Sequence, residues 1–285
     1  MTKKSAILLL SCPDKKGVVA SIAGFIYQHG GNILHAHEHS DVDSGIFLMR
    51  VEFDPAEFDI PLNDFARPFT PIAASFEMHW RLAQSDYRPR MAILVSKHDH
   101  CLVDLLYRHQ SGELTCEIPC ILSNHPDSQA IADFYRIPFF LVPVEKENKE
   151  AAERQIRARL ERYNIDVIVL ARYMQILSDE MVHAYPGRII NIHHSFLPAF
   201  VGSKPYHQAF TRGVKLIGAT SHYVTEVLDD GPIIEQDVVR VSHRDSVEDL
   251  IQKGRDLEKV VLSRAVRWHI ENRILVYGNK TVVFE

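Results

Sequence analysis

Asp166-Val167-Ile168-Val169-Leu170-Ala171 is apolar almost from end to end. A strand with one wet face alternates polar and apolar residues, whereas a strand covered on both faces reads as a continuous apolar run. The segment therefore predicts an interior strand of a parallel sheet with helices on both sides. Outward from it, Ala92 to Ser96, Glu117 to Ser123 and Phe139 to Pro143 read as further strands, with helical patterns at Ser128 to Tyr135 and Lys149 to Tyr163. Strands that alternate with helices imply parallel pairing, because a parallel connection must cross over the sheet. After Arg188 the pattern becomes strand-rich, and Ile189 to Ile192, Leu216 to Val224 and Pro232 to Val241 predict added antiparallel strands. Ser246-Val247-Glu248-Asp249 reads as a capping box opening a long helix toward His269, and Gly278-Asn279 as a hairpin turn between two terminal strands.

Upstream the order differs. Ala6 to Ser11 is a short apolar run, and Val18, Ile22, Phe25 and Ile26 then recur at helical spacing until Gly30-Gly31-Asn32 stops them. Alternating stretches at Ile33 to Ser40 and Ile46 to Phe53, a weaker helix and a strand near Phe76 to Leu82 complete a βαββαβ unit. The polar segment from Gln84 to Arg90 contains Pro89 and precedes a strong strand. The expected organisation is an α/β chain with one domain over 1–84, a linker over 85–90 and a second domain over 91–285.

The charge balance narrows the partners. The chain has 32 basic and 37 acidic residues, interspersed, for a formal net charge of −5. Phosphate backbones require strongly basic faces, so nucleic acid is not an expected partner, although a local basic pocket for an acidic small molecule stays open. Pro13-Asp14 ends the first apolar run too early for a secretory signal, and no stretch reaches the length that spans a membrane. Cys12, Cys101, Cys116 and Cys120 show no paired framework, so reduced thiols in a cytoplasmic protein are expected.

Chemistry concentrates in Asn191-Ile192-His193-His194-Ser195-Phe196-Leu197-Pro198, at the end of an apolar strand, where open α/β sheets bind ligands. Period-two spacing places Asn191 and His193 on one face and Ile192 on the other. An amide beside an imidazole can stabilise the oxyanion formed when a carbonyl is attacked. The alternative is a strand end whose polar residues simply face water, and spacing alone does not decide. A second segment, from Ser221 to Ile233, ends in Asp229-Asp230-Gly231-Pro232, which by itself reads as an ordinary acidic turn. A carboxylate brought to His193 would instead favour the imidazolium and could position water.

Together these segments resemble the formyltransferase family that uses 10-formyltetrahydrofolate. The matching pattern is Asn191-Ile192-His193-x-Ser195-x-Leu197-Pro198, then Gly202, then His222-x-Val224-Thr225-x-x-Leu228-Asp229-x-Gly231-Pro232. The resemblance runs from Arg90 onward and implies a Rossmann-like, mostly parallel sheet. It implies Asn191, His193 and Asp229 as the catalytic set. Met174-Gln175-Ile176-Leu177 would be the loop that holds the pterin, and Val224, Thr225 and the residues to Asp229 its other wall. Gly202 and His222 are further substrate-binding positions. No metal or cofactor is implied, 10-formyltetrahydrofolate being the substrate.

The N-terminal unit resembles an ACT domain, a ferredoxin-like regulatory module, through Asp14-x-x-Gly17 and a helix ending at Gly30-Gly31-Asn32. That resemblance implies an amino-acid effector, methionine or glycine, at Asp14, Gly17 and Asn32, and a homodimer or homotetramer. A domain that only mediates assembly is the alternative.

The acceptor is read from a departure. The purine-pathway formyltransferases of this family cradle a substrate phosphate in a glycine-rich loop after the first strand. Here that position reads Ser96-Lys97-His98-Asp99-His100-Cys101, without glycine and with an acid that repels phosphate. Water becomes the expected acceptor, giving formate, which would feed purine synthesis, and tetrahydrofolate. Transfer to another amine and a non-enzymatic amino-acid sensor are the competing readings, the intact Asn191, His193 and Asp229 weighing against the sensor. A tRNA-directed formyltransferase would need a basic extension that is not expected here.

Other features carry less. His35, His37 and His39 share a strand face and could bind zinc or nickel, but an exposed face or subunit contact is the preferred reading, as no distant ligand is apparent. Cys116 and Cys120 lack a second ligand pair for zinc. His98 and His100 either line the cleft or face solvent, His194 points away from His193 and is either structural or a support behind the site, and Trp80 and Trp268 pack between elements.

Overall fold

The apolar periodicities resolve into two compact units, 1–87 with 271–285 and 88–270, in a computed structural model that describes residues 4–198 and 205–284. The first unit contains β1 (Ala6–Pro13), α1 (Val18–Gln28), β2 (Asn32–Asp41), β3 (Ile46–Asp54), a 3-10 turn at Leu62–Asp64, α2 (Ala66–Ser75) and β4 (His79–Gln84). Its strands form one antiparallel sheet in the order β2-β3-β1-β4, the βαββαβ arrangement expected. Helix α1 buries Val18, Ile22, Phe25 and Ile26. Gly30 N–H then donates to the Tyr27 carbonyl (3.0 Å) and Gly31 N–H to that of Ile26 (2.8 Å), the bond pair of a Schellman stop. Phe53, Phe65 and Phe69 are fully buried, with Trp80 edge-on to Phe69 at 4.9 Å. Each such ring contributes about 1.5–3 kcal/mol of burial. β4 begins three residues later than the sequence pattern predicts, because Glu77 turns to φ 58° and Met78 N–H closes α2 on the Ala73 carbonyl at 2.8 Å.

The second unit runs β5 (Arg90–Val95), α3 (His100–Gln110), β6 (Glu117–Ser123), α4 (Gln129–Phe134), β7 (Phe139–Leu141), α5 (Lys149–Arg162), β8 (Val167–Ala171), α6 (Asp179–Ala184), β9 (Ile189–His193), α7 (Pro205–Arg212), β10 (Leu216–Tyr223), β11 (Ile233–Arg240) and α8 (Val247–Ile270). These strands form a seven-stranded sheet in the order β11-β10-β9-β8-β5-β6-β7. All five residues of β8 are buried at its centre, as the apolar run predicts. One expectation is corrected. The strand at Ile189 is not an added antiparallel strand, because β9 pairs in parallel with β8 (Ile168 with Ile189). The crossover is α6, only six residues long and capped by Ser178, whose side chain accepts from Met181 N–H. Antiparallel addition begins with β10 and continues with β11. The capping box forms as predicted: Asp249 N–H donates to Ser246 Oγ (3.2 Å) and Ser246 N–H to Asp249 Oδ2 (2.8 Å).

The terminal hairpin, β12 (Ile274–Tyr277) and β13 (Lys280–Val283), turns at Gly278-Asn279. The sequence reading assigned it to the 91–285 domain, but it packs with the first unit. A hairpin of two four-residue strands is not stable alone, and the first unit gives it partners. Arg50 Nε donates to the Asn272 carbonyl at 3.0 Å, and Lys280 Nζ lies 3.3 Å from Asp41 Oδ2. The Ser44 backbone N–H, helped by Lys280, pulls the Asp41 carboxyl down to about 2. The two units divide between Tyr87 and Arg88. Among the described residues no helix is long and apolar enough to cross a membrane.

Candidate active site

Strand β9 delivers Asn191 and His193 to one face while Ile190 and Ile192 pack on the other. The antiparallel register sets His222 of β10 directly opposite Asn191, and Thr220 opposite His193. Cross-strand partners share a face, and Asn191 Nδ2 meets His222 Nε2 at 3.2 Å. The His222 Nδ1 lies 2.9 Å from the Tyr223 carbonyl, which can only accept. His222 therefore carries its proton on Nδ1 and accepts from the Asn191 amide at Nε2, which orients that amide. Ser221 Oγ donates to the Asn191 carbonyl (2.9 Å), and Thr220 Oγ1 donates to the Ser195 carbonyl (2.9 Å) while accepting from Leu197 N–H (3.0 Å). The turn after His193 is thereby tied to β10.

Asp229 arrives on the loop between β10 and β11. It has φ 56°, and the loop is closed by Tyr223 N–H donating to the Pro232 carbonyl at 2.9 Å. Gly231 is required there, since a Cβ would sit 1.7 Å from the Tyr223 carbonyl oxygen. The Asp229 carboxylate lies 3.2 Å from His193 Nδ1 and 3.7 Å from His222 Nε2. The hydrogen bond to His193, then the nearby His222, holds this carboxyl far below the usual carboxylate range. With Nδ1 committed to Asp229, His193 keeps Nε2, which is buried and has no hydrogen-bond partner among the described residues. His194, on the opposite side of the strand end, is pushed down to about 4 by burial and by the Arg172 charge; it stays neutral.

These groups open onto a cavity of about 340 Å³. One wall is Met174 to Leu177 and the other Val224 to Asp229. Met174, Ile176 and Leu228 are 55%, 59% and 57% exposed, so both walls present apolar side chains, a surface suited to a flat aromatic ligand. Ser96 at the end of β5 accepts from Met174 N–H (3.0 Å) and donates to Asn124 Oδ1 (2.7 Å). The segment after β5 thus anchors one wall.

The structure brings together Asn191, His193, Asp229, His222, Met174, Gln175, Ile176, Leu177, Val224 and Thr225 around one cavity. Gly202 lies outside the described residues. In the first unit, Gly17 takes φ 96° at the start of α1, with Asp14 just before it, whereas Asn32 follows the other end. Eleven helical residues, about 16 Å at 1.5 Å each, separate them, so one protomer does not gather the three. His37 stands on β2, an edge strand, with its ring 6.4 Å from that of Phe284.

Sequence reading missed a buried polar cluster beside the cavity. Glu258 of α8 is 1% exposed; it accepts from Tyr206 Oη at 2.8 Å and lies 2.7 Å from His100 Nε2. Burial alone would raise its pKa, but His100, Arg172 and Tyr206 hold it below the ordinary value. The available signal was its phase, since Gly254, Val261 and Leu262 on the same helix are buried.

The family model described as "Formyl transferase" matches residues 89–266, and that described as "ACT domain" matches residues 6–63. The chain is 57% identical to a formyltetrahydrofolate deformylase of Synechocystis sp. over the full length of both. It is 48% identical to one of Bacillus subtilis, covering 97% of this chain and 93% of that one. The crystal structure of a formyltetrahydrofolate deformylase from Pseudomonas syringae pv. tomato superimposes with a TM-score of 0.97 at 50% identity, covering 100% of this chain and 96% of that chain.

Proposed function

Since this chain belongs to the formyltetrahydrofolate deformylase family, we propose that it hydrolyses 10-formyltetrahydrofolate to formate and tetrahydrofolate, with Asn191, His193 and Asp229 as its catalytic residues. The observation that carries the reading is the single cavity in which this trio faces two apolar walls. The pterin lies between Met174–Leu177 and Val224–Asp229, and the formyl group reaches the trio. Asn191 Nδ2 and the protonated Nε2 of His193 donate to the formyl oxygen and stabilise the tetrahedral oxyanion. The strongly depressed pKa of Asp229 makes it a weak proton acceptor. Its part is to sustain the His193 imidazolium and orient the attacking water rather than to abstract a proton. Water oxygen bonds to the formyl carbon, and the C–N bond to N10 then breaks. One water proton ends on N10, and the other is released as formic acid ionises.

The glycine-free segment Ser96 to Cys101 supports water as acceptor, because Ser96 is committed to the cavity wall. Incubation with 10-formyltetrahydrofolate and no amine tests this: stoichiometric formate is expected. Turnover seen only when glycinamide ribonucleotide is added would reverse the choice of acceptor. We also propose that the ACT unit binds an amino acid, methionine or glycine, in a homodimer or homotetramer that brings Asn32 of one copy toward Asp14 and Gly17 of another. Formate so produced would supply purine synthesis from a cytoplasmic enzyme.

A further inference from the structure

Arg172 directly follows β8 with φ 63°, a left-handed conformation that favours glycine over a long side chain. Such backbone persists where the surroundings hold it, and it clusters at ligand sites. The Arg172 side chain is only 10% exposed. Among the described residues, neither its Nε nor its Nη1 has a hydrogen-bond acceptor. Glu258 Oε2 stands 3.5 Å from Nε, close enough to balance the charge. Its oxygens are already engaged, Oε1 with the Tyr206 hydroxyl and Oε2 with His100. Gly254 secures that engagement, for a Cβ there would lie 2.0 Å from the Tyr206 hydroxyl. Glu258 is thus held as a counter-charge that leaves Nε and Nη1 of the guanidinium without a hydrogen-bond acceptor.

Buried donors lacking an acceptor are costly and call for an explanation. The Nε–H and Nη1–H bonds leave opposite edges of the guanidinium, so either can be met by one oxygen of an anion in a single charge-assisted bond. His100, Cys101 and Glu258 also set three possible metal-ligand atoms within 4.8 Å of one another, but a guanidinium 3.5 Å from that carboxylate repels a cation. The unmet chemistry is that of an anion. Arg172 and His194 line the same cavity as His193.

We infer that Arg172 forms a small-carboxylate subsite that receives formate as it leaves the catalytic trio. The inference rests on the hydrolytic reading, which generates a carboxylate in this cavity. The folate's own glutamate is the other carboxylate that could reach a guanidinium, but the depth of Arg172 favours the one-carbon product.

The test uses the full chain without folate, titrated with ¹³C-formate and followed by line broadening and calorimetry. Saturable binding is expected, weakened at least tenfold in Arg172→Gln and less in Arg172→Lys; product inhibition by formate during turnover should weaken in parallel. If Arg172→Gln misfolds because Glu258 loses its counter-charge, Arg172→Gln/Glu258→Gln removes both charges and is expected to show the same loss. Formate binding unchanged in the folded variants overturns the subsite. A KM rise confined to glutamate-bearing substrate, absent with the pteroate analogue and with formate affinity intact, assigns Arg172 to the folate tail and also overturns it. Formate bound by a protein that releases none from 10-formyltetrahydrofolate supports the subsite and refutes the hydrolytic reading. Release without binding does the reverse.

Discussion

Asn191 and His193 share a face because β9 alternates, and the Asn191 amide is turned by His222 across the ladder. Losing one oxyanion donor lowers kcat by about 10²–10³. Asn191→Ala is expected to show that fall with KM little changed, measured by steady-state formate release. Asp229→Asn removes the carboxylate that stands 3.2 Å from His193 Nδ1. Its kcat for formate release is expected to fall by at least tenfold with KM little changed; an unchanged kcat would remove Asp229 from the catalytic set. His194 acts on stability instead. Held to about 4 when folded against 6.5 ordinarily, it refuses a proton that the unfolded chain binds. Stability should thus fall as pH drops from 6.5 toward 4, by on the order of 2–3 kcal/mol, and His194→Gln should flatten that window in urea unfolding. Period-two spacing made the shared face of Asn191 and His193 legible in the sequence, though not its use. Arg172 and Glu258 were not, since a charge after a strand or on a helix ordinarily faces water.

At the scale of elements, the signals that read correctly were local ones. The continuous apolar run of β8, the glycines ending α1 and the Ser246–Asp249 box each act within a few residues, so the chemistry that forms them is written there. Ser246→Ala is expected to cost about 1 kcal/mol, lowering Tm by about 2–4 °C while leaving activity intact; thermal melting with a parallel turnover assay checks both. The direction of β9 was illegible because it depends on α6, too short to show a helical period. Asp229 reaches His193 only through the fold of a nine-residue loop, Val224–Pro232, which no local spacing encodes.

For the whole molecule, local pattern identifies a hairpin at 274–283 but not the unit it joins, because that choice rests on partners such as Arg50, which lies far away in sequence. Ending the chain after Ile270 should loosen β1 to β4 and leave β5 to β9 unchanged. Hydrogen exchange would register faster amide exchange in the first unit alone, and equal loss of protection in both units would contradict this division.

That returning hairpin also bears on how the protein is made. Residues 88–270 must leave the ribosome before the strands that complete the first unit emerge. At about 5–20 residues per second, the delay is on the order of 10–40 s. Through that interval the nascent sheet lacks its last partners, and the later-synthesised catalytic unit can be finished before the one that precedes it in the gene.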